Sequence, residues 1–241
     1  MAQKPPQVSP GASQALQSAM LALQQGRPEA AEGIARDILA RNAGDIGAMY
    51  ALGHALLQQK RHEDAVAPLE RAAQQSRDPA IHTALSVALR QAGRADDAMS
   101  RLKRLVKREP FPPAMVEYGQ LLTQSCQYDE ARAVFAQGLA IAPSYPDLVV
   151  AAAAFFQVVG DFSKAAELYR QLLTADPANA RVRIRLGTCQ LELGDRASAF
   201  ENFRAAVKQD RDMVWRVMAA VAQAGHGGMW LDVKDAEAAL L

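Results

Sequence analysis

The chain has 241 residues, of which 50% are hydrophobic and 22% are charged, as is usual for a folded protein in water. Its formal net charge of +1 at pH 7 provides no overall field that would draw it to nucleic acid or to an acidic membrane. Its two cysteines, Cys126 and Cys189, match no metal-ligand or redox spacing, which indicates reduced thiols in a reducing compartment.

Residues 1–11 hold Lys4 and three prolines but no apolar core of a signal peptide, and their composition favours an extended, mobile tail. The longest apolar stretch, residues 148–159, is too short to span a bilayer and contains Gln157. These features predict a soluble cytoplasmic protein. The composition, rich in alanine and arginine, is compatible with a bacterium of high GC content.

A small residue recurs along the chain in steps of 34, 33, 33, 34 and 34 residues, and an alanine follows each one 12 positions later. A period in this range is typical of stacked helix–turn–helix units. The first series is Ala19, Gly53, Ser86, Gly119, Ala153 and Gly187, and the second is Ala31, Ala65, Ala98, Ala131, Ala165 and Ala199. The repeat therefore predicts an all-α array of antiparallel helix pairs.

The fifth unit, residues 146–179, illustrates how each pair is encoded. Its first helix is predicted to run over residues 146–159 and to end at Gly160, because glycine accepts the left-handed conformation that follows a helix. Asp161 can cap the second helix, and Asp176-Pro177 ends it, because a residue before proline avoids helical geometry. The small residues allow the two helices to approach closely, so a larger side chain there should cost about 1–3 kcal/mol.

These positions resemble the tetratricopeptide repeat (TPR) family over residues 12–213. Its small first-helix pair appears as Leu52-Gly53, Leu85-Ser86, Tyr118-Gly119 and Leu186-Gly187. The turn glycine appears as Gly26, Gly93, Gly160 and Gly194, with departures at Lys60 and Cys126. The large second-helix residue appears as Leu69, Leu102, Phe135, Tyr169 and Phe203, with a departure at Ala35. The closing proline appears as Pro110, Pro143 and Pro177, with departures at Ala43, Arg77 and Arg211.

The resemblance implies a right-handed superhelical solenoid of six TPR-like repeats and a C-terminal helix pair. We expect a disordered tail over residues 1–11 and repeats over residues 12–45, 46–78, 79–111, 112–145, 146–179 and 180–213. Residues 214–241 are predicted to form the capping pair, with helices over 214–224 and 229–241 joined by a glycine-rich turn. Its apolar end either packs back on the sixth repeat, continues into a longer chain or is covered by a partner.

No catalytic or metal-binding pattern stands out. The glycines around His226 have no strand before them, as a phosphate-binding loop would require, and the four histidines share no helix face with one another or with cysteine. The acidic pairs Asp96-Asp97 and Asp129-Glu130 begin second helices, where carboxylates suit the helix dipole. We therefore expect no enzyme activity, no cofactor and no metal.

In TPR arrays the first helices line a concave groove, and the resemblance assigns its surface to set positions of each repeat. Apolar and amide side chains alternate there, with a few charges of both signs, which favours a peptide or an amphipathic helix over a polyanion. The candidate residues are Tyr50, His54, Leu57, Val87, Arg90, Val116, Glu117, Gln120, Gln124, Val150, Gln157, Arg181, Arg185 and Thr188.

Two groups of cations have alternative interpretations. Arg181 and Arg185 fit one part of the carboxylate clamp of chaperone-binding TPR domains, but its other positions hold Val116, Gln120 and Ala151. The two arginines are thus a local anion contact, solvated side chains or partners of acids such as Asp147. The run of Arg101, Lys103, Arg104, Lys107 and Arg108 is either a solvated outer face or a site for an acidic partner; it lacks the interleaved aromatics of a nucleic-acid site.

The leading hypothesis is a non-enzymatic adaptor that binds a peptide or helical segment of another protein, without nucleic acid or a membrane span. One alternative is the N-terminal repeat region of a larger bacterial glycosyltransferase or sulfotransferase. Another is a scaffold that self-associates through its C-terminal end, since such a contact can propagate.

Overall fold

The computed structural model describes residues 10–223 and the side chains of residues 14–222. Over this range it contains thirteen α-helices and one short 3-10 helix, and no strand. The helices are α1 (Pro10–Gln24), α2 (Pro28–Arg41), α3 (Ile46–Gln58), α4 (His62–Gln75), α5 (Pro79–Gln91), α6 (Ala95–Arg108), α7 (Pro112–Gln124), α8 (Tyr128–Ile141), α9 (Pro146–Val158), α10 (Phe162–Ala175), α11 (Ala180–Glu192), α12 (Arg196–Gln209) and α13 (Val214–Gln223). The all-α class is confirmed.

The chain divides into two compact units, Met1–Leu121 and Leu122–Leu241, and the division falls within α7. In unit 1, each first helix packs on its own second helix: α1 on α2, α3 on α4 and α5 on α6. The second helices α2 and α4 also pack on the next first helices, α3 and α5, and α3 contacts both α1 and α5. The first helices α1, α3 and α5 therefore form a layer of their own within unit 1.

Unit 2 follows the same rule. Helix α9 packs on α10 and α11 packs on α12, while α8 contacts α9 and α10 contacts α11. Helix α13 packs on α11, as the first helix of a further pair would. Its bounds agree with the predicted helix over 214–224, and the short 3-10 helix Arg211–Met213 precedes it.

The predicted small positions are all buried. The close approach is visible at two glycines, Gly53 and Gly187, where the facing residue is the large side chain of the paired helix. A Cβ atom on Gly53 would lie 2.4 Å from Cγ of Leu69, and one on Gly187 would lie 2.5 Å from Cε1 of Phe203. Each glycine thus provides the space that its partner's side chain fills.

The tight turns adopt one conformation whether or not they contain glycine. Gly26, Gly93, Gly160 and Gly194 have φ angles between 67° and 82°, as predicted for the turn residue. The two departures from the pattern share this geometry, with a φ of 61° at Lys60 and 58° at Cys126. Non-glycine residues incur a steric penalty in this region, so these two turns are strained.

Helix ends in the fifth repeat also agree with the prediction. The Asp161 carboxylate accepts a hydrogen bond from the backbone N–H of Lys164 at 3.1 Å, and α10 ends at Ala175, directly before Asp176-Pro177. At the N-terminus, α1 begins at Pro10, within the range predicted as tail. Residues 1–9, the predicted turn over 225–228 and the predicted helix over 229–241 lie outside the described residues. No helix in the described range is long and apolar enough to cross a membrane.

Candidate functional site

Unit 1 carries eight of the predicted groove residues on its first helices. Seven of them are half-buried, on α3 (Tyr50, His54, Leu57), α5 (Val87, Arg90) and α7 (Glu117, Gln120). The eighth, Val116, is only 8% exposed and belongs to the core. Val116 therefore offers little surface to a partner, whereas the others keep part of each side chain accessible.

Tyr50 and His54 form an aromatic pair one turn apart on α3. Their ring centroids are 4.5 Å apart with an edge-to-face angle of 70°, and Tyr50 also packs on a buried cluster that includes Met49 and Ile81. Burial raises the pKa of the Tyr50 hydroxyl and lowers the pKa of His54, so the imidazole is neutral at pH 7. The Nε2 atom of His54 is buried and has no hydrogen-bond partner among the described residues.

Arg90 on α5 and Glu117 on α7 neutralise each other. Nε and Nη2 of Arg90 both donate to Oε2 of Glu117, at 3.2 and 3.0 Å, and the two side chains are 25% and 19% exposed. Together, Arg90 and Glu117 therefore add no net charge to the candidate surface of unit 1. Sequence reasoning identified both residues but did not predict that they pair.

In unit 2, the predicted residues are more exposed. Gln124, Val150, Arg181 and Arg185 are exposed, and Val150 is 43% exposed although it is apolar. Gln157 and Thr188 are half-buried. The four exposed side chains keep much of their surface accessible to another molecule.

One groove of unit 2, about 590 Å³ in volume, brings four predicted residues together: Gln157 on α9 and Arg181, Arg185 and Thr188 on α11. Arg216 from α13 and Glu192 from α11 line the same groove. We name it the arginine groove. Sequence reasoning missed Arg216, because no groove position was assigned to the predicted helix over 214–224 and because residue spacing does not show that this helix packs on α11.

Hydrogen bonds hold the polar side of the arginine groove in place. The Tyr169 hydroxyl donates to Oε1 of Gln157 at 3.1 Å, and Nη1 of Arg185 donates to the same oxygen at 3.5 Å. Burial raises the pKa of Tyr169 to about 12, so its hydroxyl remains a donor at neutral pH. Asp147, which was one possible partner for the arginines, instead accepts a hydrogen bond from the Tyr145 hydroxyl at 3.4 Å.

Most basic side chains of α6 lie on the exposed face of that helix. Leu102, Leu105 and Val106 of this helix are buried, while Arg104, Lys107 and Arg108 are exposed. Nη2 of Arg108 donates to the backbone carbonyl of Arg77 at 3.2 Å. At least one cation of the run therefore contributes to packing within unit 1.

The remaining reactive side chains have structural surroundings. Burial raises the pKa of the Cys189 thiol to about 12, which makes it a poor nucleophile at neutral pH. Cys126 is exposed in a strained turn, and its Sγ accepts a hydrogen bond from the Tyr128 hydroxyl at 3.5 Å. Over residues 10–223, no group of three or more His, Cys, Asp or Glu side chains is arranged to hold a metal ion.

Comparison with solved structures shows the same fold. A TPR protein of Thermus thermophilus, TTC0263, is 23% identical with a TM-score of 0.64, over 75% of this chain and 99% of that chain. PilF of Pseudomonas aeruginosa is 18% identical with a TM-score of 0.73, over 88% of this chain and 97% of that chain. A chain of the APC/C hetero-tetramer Cut9–Hcn1 is 13% identical with a TM-score of 0.74, over 87% of this chain and 42% of that chain.

A search of curated protein sequences gave no match. The sequence profile of the tetratricopeptide repeat matches residues 22–88, 89–154 and 159–221, which is most of the chain. The 33- and 34-residue period, the buried small positions and the left-handed turns all agree with this match. The chain is a member of the tetratricopeptide repeat family.

Proposed function

We propose that this protein is a non-enzymatic scaffold that binds a peptide or helical segment of a partner protein on the exposed faces of its first helices. TPR repeats are a scaffold fold that typically mediates protein–protein interaction. Cut9–Hcn1, whose chain shares the fold, is itself a hetero-tetramer.

The observation that supports it most is the character of the first-helix faces. They present an exposed apolar side chain, Val150, and accessible amides such as Gln120, which is half-buried, and Gln124, which is exposed. Apolar contacts combined with amide hydrogen bonds suit a peptide backbone and its side chains. A scaffold of this kind needs no reactive group.

The test compares two matched triple variants in affinity capture from a native extract. The first-helix variant replaces Gln120, Gln124 and Val150 with alanine, and the second-helix variant replaces Gln74, Gln137 and Ile141 with alanine. All six side chains lie outside the core, and each variant removes two amides and one aliphatic group. Tyr50 and His54 are left intact, because their ring contact contributes to packing.

The first-helix variant should lose a partner that the parent chain and the second-helix variant both retain. A loss of about 1–2 kcal/mol in binding free energy corresponds to a roughly 5- to 30-fold weaker complex. Equal recovery by the first-helix variant and the parent chain would contradict the proposal. Selective loss by the second-helix variant would place the contact on the outer faces, and recovery of the chain's own copies alone would indicate self-association.

A further inference from the structure

The arginine groove carries an unbalanced positive charge. Three of its lining residues, Arg181, Arg185 and Arg216, are arginines, and one, Glu192, is acidic. All three guanidinium side chains are exposed, and none of the described residues forms an ion pair with Arg181 or Arg216. The three arginines exceed the one glutamate by two positive charges, which two carboxylates of a ligand would balance.

Apolar side chains lie beside these cations. Phe162 from α10, Ile184 from α11 and Ala219 and Ala220 from α13 line the same space. A volume of about 590 Å³ is within the usual range of ligand sites and exceeds what one carboxylate fills. The groove therefore combines arginine side chains with an apolar surface. This combination suits an acidic peptide whose carboxylates flank an apolar side chain.

Resting on the proposed function, we infer that the arginine groove binds an internal acidic segment of the partner protein, with two Asp or Glu side chains on Arg181, Arg185 and Arg216. Two carboxylates would match the excess charge, whereas a chain terminus supplies one. Arginine presents paired N–H donors in a plane that fits a carboxylate. Unit 1 is unlike this groove, since its Arg90 is already neutralised by Glu117.

The test is a fluorescence anisotropy titration of the full chain with three labelled peptides. The first has the internal sequence Ser-Asp-Leu-Glu-Ser, with two acids flanking an apolar residue, and an amidated C-terminus. The second replaces its acids with Asn and Gln, and the third is the neutral peptide with a free terminal carboxylate. Only the first should bind. No binding of the first peptide by the parent chain at millimolar concentration overturns the inference.

Single variants identify the contact. Arg181→Gln, Arg185→Gln and Arg216→Gln should each weaken binding of the acidic peptide about tenfold, as loss of one charge-assisted contact does. Arg196→Gln is the matched control, because Arg196 is exposed on α12 and does not line the groove. An equal effect of Arg196→Gln would show that only the overall charge matters and would overturn the inference.

A charge exchange keeps the test independent of folding. Arg216→Glu should weaken the acidic peptide and bind a peptide with one acid replaced by lysine at least as well as the parent does. Failure of this exchange, or equal binding of the neutral peptide through its free carboxylate, overturns the inference. Full displacement of the acidic peptide by an equal concentration of inorganic phosphate also overturns it, since the groove would then bind any small anion. A rise in molecular mass in place of peptide binding would identify a second copy of the chain as the occupant and would overturn it too.

The two proposals fail separately. In one case the Gln120, Gln124 and Val150 variant loses the captured partner, while Arg181→Gln and Arg216→Gln retain the partner but no longer bind the acidic peptide. The scaffold function then stands, and the inference that the partner binds the arginine groove through an acidic segment is overturned. If the first-helix variant retains the partner and the arginine variants lose the peptide, the peptide site stands without the wider surface.

Discussion

Arg90 and Glu117 form an ion pair that joins two successive first helices of unit 1, with both Nε and Nη2 of Arg90 directed at one carboxylate oxygen. Neither side chain is more than 25% exposed, so water screens the pair less than it screens a surface pair. Two charged residues that were predicted to bind the ligand therefore bind each other, and their ion pair stabilises the surface on which the ligand would lie.

A double-mutant cycle with Arg90→Ala and Glu117→Ala should give a coupling free energy of about 1 kcal/mol. The exposed pair Lys164–Glu167, at 2.8 Å but with side chains 40% and 66% exposed, should give about 0.3 kcal/mol. Urea denaturation of the four chains of each cycle provides the comparison. Equal couplings would mean that burial does not strengthen the Arg90–Glu117 pair.

The glycine at the helix contact of the sixth repeat should not tolerate a methyl group. In Gly187→Ala, the new Cβ would meet the fully buried ring of Phe203, and the overpacking cost of about 1–3 kcal/mol should exceed the helix-propensity gain of about 0.5–1 kcal/mol. Gly33→Ala is the matched control, because Gly33 is exposed within α2 with open space around it, and this change should stabilise the protein. Thermal unfolding distinguishes them, and a stabilised Gly187→Ala would disprove the close contact.

The left-handed residue in the turn between α3 and α4 should prefer glycine. Lys60→Gly removes a steric penalty but adds freedom to the unfolded chain, so we expect a net gain of about 0.5 kcal/mol in unfolding free energy. Gly93→Ala, at the equivalent turn of the next repeat, should lose about 0.5–1 kcal/mol by the same reasoning. Chemical denaturation tests the pair, and a destabilised Lys60→Gly would mean that the lysine side chain stabilises the turn by a contact of its own.

Glu32 should make the stability of unit 1 depend on pH. The Glu32 residue is 6% exposed, and its carboxylate accepts hydrogen bonds from Gln59 at 2.6 Å and Arg61 at 2.9 Å and forms an ion pair with Arg36 at 2.6 Å. The hydrogen bond from Gln59 contributes most to lowering the pKa of Glu32, burial opposes it, and Arg61 and Arg36 lower it further. A lowered pKa stabilises the folded protein fully above the unfolded value of 4.5, and this stabilisation is lost as the pH falls through the folded value.

Glu32→Gln should therefore destabilise the protein by about 2 kcal/mol at pH 7 and by much less once the carboxyl is protonated in both states. Asp37→Asn, an exposed carboxylate on the same helix, should change the unfolding free energy by less than about 0.5 kcal/mol at either pH. Denaturation at several pH values measures both differences. A penalty for Glu32→Gln that stays constant down to acid pH would show that the charge of Glu32 contributes nothing.

The periodic sequence predicts the helix pairs well because each boundary has a local cause. Gly160 adopts the left-handed angle, Asp161 caps α10, and the α10 helix stops before Asp176-Pro177. Side-chain partners across repeats were less predictable. The pairing of Arg90 with Glu117 and the approach of Arg216 to Arg181 depend on how one helix is rotated against the next, and residue spacing does not specify that rotation.

Burial of individual site residues was likewise beyond the pattern. Val116 and Val150 hold the same groove position, the fifth residue of their repeats, by family geometry, yet Val116 is 8% exposed and Val150 is 43% exposed. The difference comes from tertiary packing around each helix, not from residue type. Sequence reasoning therefore predicted which helices carry these residues more reliably than how exposed each side chain is.

Site-specific photo-crosslinking in a native extract tests the scaffold proposal most directly. A photo-reactive benzoyl-phenylalanine is placed at Val150 on a first helix in one chain and at Ile141 on a second helix in another, two aliphatic positions that are 43% and 50% exposed. Adducts of a defined partner protein at Val150 and their absence at Ile141 are the expected result. Adducts at Ile141 alone, or equal labelling at both positions, would contradict binding by the first-helix surface.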